Sequence, residues 1–88
     1  VARLLKASGE VVELDTAPTF GQAQALVGGY VAPARLGDGM LLLVNEDGQM
    51  LDLPFNKLAT SYAHQRLLGD VVLLETDAEI EATLGGTS

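Results

Sequence analysis

Eighty-eight residues, 48% of them hydrophobic, with twelve carboxylates against five lysines and arginines, define one acidic domain of formal net charge −7. A chain of this size buries ~60–68% of its unfolded surface, so it has a core, but the absence of cysteine excludes disulfides, thiolate zinc sites and cysteine nucleophiles. The charge argues against direct nucleic-acid binding, because phosphates repel the chain and no Lys/Arg cluster offsets them; it suits a basic partner or plain solubility.

Residues 2–7 and 10–15 are predicted strands joined at Ser8-Gly9 in a hairpin, with Val12 and Leu14 of the second strand on its apolar face. Pro18 stops that strand. Thr19 and Gln22 have the spacing of a capping box and open a predicted helix over 20–27, whose apolar face carries Phe20, Ala23 and Val27 with Leu26 beside them. Gly28-Gly29 closes the helix, since glycine takes the left-handed conformation there without steric penalty. A paired glycine in a phosphate-binding loop leads from strand to helix, the reverse of the order here.

Residues 30–36 are a predicted strand in which Pro33 removes a ladder donor, which puts the strand's unpaired side outward. Two Asp-Gly pairs, at Asp38-Gly39 and Asp47-Gly48, read as tight two-residue hairpin turns. Between them the run MLLLV at 40–44 is apolar at every position, so it is expected to be a central strand buried on both faces. The second turn should lead into a flanking strand at 49–53. Asn56 is then a helix cap for the pattern LATSYAHQRL, which ends at Leu67-Leu68-Gly69-Asp70 and contains the single histidine, His64. Residues 71–75 form a second apolar strand, expected beside 40–44, and the capping box Thr76 to Glu79 opens a short helix over 77–84.

The predicted order is ββαβββαβα. This is a single small α+β domain over residues 1–84, built on a mostly antiparallel curved sheet or small barrel with two or three short helices, with a frayed tail at 85–88. No apolar run approaches the ~18 residues of a membrane span and no basic or cleavable leader is recognisable, so the expectation is a cytosolic protein without a membrane partner.

Catalytic constellations are not seen. One histidine makes no metal site, and the paired carboxylates Glu46-Asp47 sit on a turn where solvation explains them, so the chain reads as non-enzymatic, with no metal and no cofactor. The polar residues least explained by local structure are Asn45, Glu46, Asn56 and Thr60. If the segment after Leu53 folds over the end of strand 40–44, these groups and Tyr30 converge on a shallow polar pocket with Phe55 as an apolar wall. Taken singly, Asn56 is a helix cap and Asn45 a turn residue.

Four blocks of the chain, Val27-Gly28-Gly29-Tyr30-Val31, Val44-Asn45-Glu46-Asp47-Gly48, LPFNKLAT from Leu53 to Thr60, and Gly69-Asp70-Val71-Val72-Leu73, are spread over roughly residues 27–74. In this order they resemble an uncharacterised domain family of bacteriophages and plasmids with a VGGY…NE-G…LP-N--AT…GD-V pattern. The resemblance implies a small accessory protein of a mobile element in the host bacterial cytoplasm. It carries over no activity, and it draws attention to Asn45, Glu46 and Asn56. The function expected from these readings is binding of a host protein so as to inhibit or redirect it, counter-defence included. Two alternatives remain open. One is a small-molecule binder or sponge for a nucleotide signal, opposed by the scarcity of Lys and Arg for phosphate. The other is a homo-oligomeric module in which a second copy covers a strand edge.

Overall fold

The apolar run of 40–44 does lie at the centre of the molecule. In a computed structural model, which describes residues 1–85, Leu41–Asn45 (β4) pairs antiparallel with Val71–Leu74 (β5) inside a five-stranded sheet. On its other side β5 pairs with Arg3–Leu5 (β1), which pairs in turn with Val11–Glu13 (β2); Val31–Arg35 (β3) flanks β4. The strand order is β2-β1-β5-β4-β3, every neighbour is antiparallel, and the curved sheet stays open, as an α+β domain rather than a barrel. Pro33 lies in the edge strand β3, where its missing donor leaves no ladder bond unmade.

Strand alternation divides the core into two layers. Leu4, Leu41, Leu43, Val72 and Leu74 pack under Ala23 and Val27 of the helix Phe20–Val27 (α1), with Ile80 and Leu84 at the margin. Leu5, Leu42, Val71 and Leu73 face the opposite way, toward Ala59 of the helix Lys57–Ala63 (α2) and toward Leu67. Leu41, Leu42 and Leu43 are all 0% exposed, which is why this strand is apolar from Leu41 to Val44, with Asn45 its one polar residue at the end. Each such leucine contributes about 2 kcal/mol by leaving water. The radius of gyration, 11.7 Å, matches the ~12 Å expected for a folded chain of this length.

Local chemistry sets the helix ends. Thr19 and Gln22 form the reciprocal capping box, Gly28 takes the left-handed cap at φ 85°, and Asn56 caps α2. Thr76 and Glu79 form a second capping box on the helix Asp77–Ile80 (α3). The predicted helix over 77–84 changes character after Ile80 and continues as a π-helical turn, Glu81–Gly85, whose buried Thr83 hydroxyl donates to the Pro18 carbonyl at 2.7 Å. Of the tail expected to fray, Gly85 belongs to this turn and residues 86–88 lie outside the described residues.

Several expectations change. The hairpins β1–β2 and β3–β4 close through three-residue loops, bonded Lys6 to Glu10 and Leu36 to Met40, in which only the third residue is left-handed (Gly9, φ 99°; Gly39, φ 88°). That is a type I turn followed by a glycine bulge, so Asp38 needs no positive φ. Helix α2 stops at Ala63, before its predicted end, because His64 adopts the left-handed conformation (φ 57°) and the Thr60 hydroxyl accepts the Leu67 N–H at 2.9 Å, turning the chain back. The predicted strand at 49–53 does not form. Gly48 lacks a positive φ, and residues 46–52 coil into a hydrogen-bonded turn instead.

Candidate functional site

The predicted site residues fall at the end of the sheet where β4 finishes and β5 begins. Asn45, the last residue of β4, is buried and shares a face with Leu41 and Leu43. Its Nδ2 donates to the Val27 carbonyl at the end of α1 (3.0 Å), and its Oδ1 accepts the Asp47 N–H (2.8 Å). Gly29 leaves room beside it, since a Cβ there would stand 3.1 Å from Nδ2 and press on the asparagine. Asn45 thus ties helix α1 to strand β4 and starts the turn that follows.

Asn56 performs the equivalent task on the other layer. It is 0% exposed; its Nδ2 donates to the carbonyls of Leu5 and Gly69, both at 2.8 Å, while Oδ1 accepts the Ala59 N–H at 2.9 Å. The same junction is tightened by Asn56 N–H to Leu67 O (2.9 Å) and by Gly69 N–H to Pro54 O (2.7 Å). One side chain therefore joins β1, the approach to β5 and the N-terminus of α2. Thr60 completes this clasp through Leu67. In space, then, the block around Val27 meets the block around Asn45, and the block around Asn56 meets the block around Gly69.

The expected convergence is only partial. Asn45 and Glu46 line a cleft of about 290 Å³ together with Gly48, Gln49, Arg66 and Leu67. Asn56 and Thr60 are directed into their own clasp, and Tyr30 stands 68% exposed, outside the cleft lining. Phe55 also lies outside it, stacked under the Arg66 guanidinium at 5.4 Å from its ring centre. Among the described residues no group of three His, Asp or Glu side chains is placed to hold a metal ion, and no helix is long and apolar enough to cross a membrane.

What sequence reasoning missed is the turn at 46–52. Asn45 caps it; Leu51 N–H bonds Asp47 O (2.9 Å); Asp52 (φ 54°) and Leu53 return their N–H groups to Gln49 O (3.1 Å) and Gly48 O (3.0 Å). This pairing with a left-handed residue is a Schellman closure, so the turn is fixed at both ends. At its crest Met50 is 80% and Leu51 54% exposed, and the same seven-residue turn carries Glu46, Asp47 and Asp52. The available signal was the adjacent Met50-Leu51 pair, which breaks the alternation that a half-buried strand would require.

No curated protein and no solved structure matches the chain. The model of a family described as a domain of unknown function, DUF3846, matches residues 3–86. The chain therefore belongs to the DUF3846 family of uncharacterised small domains.

Proposed function

We propose that the protein is a non-enzymatic accessory protein of a bacteriophage or other mobile element, working in the host cytoplasm, and that it binds a host protein through the turn at 46–52. The observation that carries this reading is the exposure of Met50 and Leu51 on a turn closed at both ends. Two large apolar side chains held largely in water by a fixed backbone add little to their own core, and such patches are characteristic of contact sites. The carboxylates around them specify the partner's chemistry: an apolar pocket bordered by lysine or arginine. The phage and plasmid setting rests on the resemblance of the four sequence blocks.

The small-molecule alternative has the cleft beside Arg66 in its favour, but that wall pairs a single arginine with the Glu46 carboxylate, a poor match for phosphate. Protein binding is tested by photo-crosslinking in host cells from a site within the turn. A specific host adduct is expected with the native sequence, weakened by salt and abolished by M50D/L51D. An adduct pattern unchanged by the double substitution would defeat the reading.

A further inference from the structure

A second surface lies three strands away from β4, at the β2 edge of the sheet. The bonds Lys6 N–H to Glu10 O and Leu14 N–H to Ala2 O, with Leu4 opposite Val12, fix which groups of β2 face β1. Antiparallel alternation then turns the N–H and C=O of Val11 and Glu13 outward, past the last strand. Beside this edge lies a groove of about 510 Å³, between the end of β2 and α1. Leu14, Pro18, Ala25 and Leu26 give it an apolar lining and no lysine or arginine is part of it; the Asp15 carboxylate borders it, as does Glu13, which stays largely exposed although one oxygen lies 3.6 Å from Arg3.

We propose that this groove binds an extended peptide with apolar residues alternating with lysine or arginine, which adds to β2 as a sixth strand. The outward backbone groups of Val11 and Glu13 supply the ladder bonds. Alternate apolar side chains of the peptide enter the groove over Leu14 and Leu26, while its cations meet Glu13 and Asp15. A second copy of this chain is a poorer occupant, since it brings the same acidic border and a net charge of −7 to the edge. The proposal is independent of the turn at 46–52.

The test is an NMR titration of the isotope-labelled chain with an octapeptide of alternating leucine and lysine. The expected result is a localised shift of the Val11, Glu13, Ala25 and Leu26 amides, with new exchange protection at Val11 and Glu13. A fully N-methylated peptide should not bind. A leucine–glutamate peptide, and the Ala25→Arg variant with the original peptide, should bind at least about tenfold more weakly through like-charge repulsion. Val11→Pro removes an outward donor without touching a β1 bond and should abolish binding. Ala25→Arg, on an exposed helix position suited to arginine, keeps the test available if Val11→Pro does not fold. M50D/L51D should bind the peptide as the native chain does, which separates this surface from the other. Equal binding of the N-methylated peptide, shifts centred on the turn at 46–52, or a dimer in sedimentation that already occupies β2 would each overturn the proposal.

Discussion

Strand β4 and the turn that follows it are adjacent in sequence and opposite in purpose. Leu41, Leu42 and Leu43 are 0% exposed and pack both layers of the core, whereas a few residues later Met50 and Leu51 are 80% and 54% exposed. Both segments carry large apolar side chains, and both are held by well-made hydrogen bonds. The difference teaches that hydrophobicity alone does not identify the core of so small a domain: the leucines of β4 stabilise the fold, while the apolar crest of the turn stands outside both core layers.

The comparison breaks most visibly in the strand. Leu43→Ala, which opens a cavity between β4 and α1, is expected to lower stability by about 4 kcal/mol in urea unfolding, a large share of the ~5–15 kcal/mol that holds a domain. Asn56→Ala should follow at about 3 kcal/mol, because it leaves the Leu5 and Gly69 carbonyls without their donor and uncaps α2; amide exchange at Ala59 should accelerate with it. Asn45→Ala sharpens the contrast. Its expected loss is about 2 kcal/mol, with exchange rising at Asp47 and in the turn while β5 remains protected. Smallest of all, replacing Met50 and Leu51 by serine should leave the unfolding midpoint within about 0.5 kcal/mol of the native chain, since neither side chain packs on the core. A larger loss would show that the crest belongs to the fold after all.

How far the sequence could be read follows from the distance over which each determinant acts. The caps at Thr19, Asn56 and Thr76 and the left-handed Gly28 were legible because donor and acceptor lie within four residues of each other. The central position of β4 was legible because burial on both faces leaves its run up to Val44 without a polar residue. The absent strand at 49–53 was not, because Asp47-Gly48 carries the composition of a hairpin turn, and the competing coil depends on the Asn45 side chain and on Leu68 packed against Gly48. The long-range bonds of Asn45 and Asn56 were hidden, although their local roles as turn residue and helix cap were legible. Their distant partners, Val27 and Leu5, are 18 and 51 residues away, so the sequence left both side chains open to a pocket when the Nδ2 of each is engaged with the protein's own backbone. The edge groups of β2 needed the strand order and register before they could be assigned.

Strand β5 has a consequence for synthesis. It is the piece that joins the β1–β2 hairpin to the β3–β4 hairpin, and no other strand pairs with both. All four strands of those hairpins leave the ribosome before β5 does, so the inner edges of β1 and β4, with their leucines, wait uncovered until the last quarter of the chain has emerged. Folding then completes late and in one event, and the waiting edges are the interval of greatest exposure to aggregation and to chaperones. Translation halted between Asn45 and Val71 would release two unjoined hairpins, each with one bare leucine edge, as ready substrates for proteolysis.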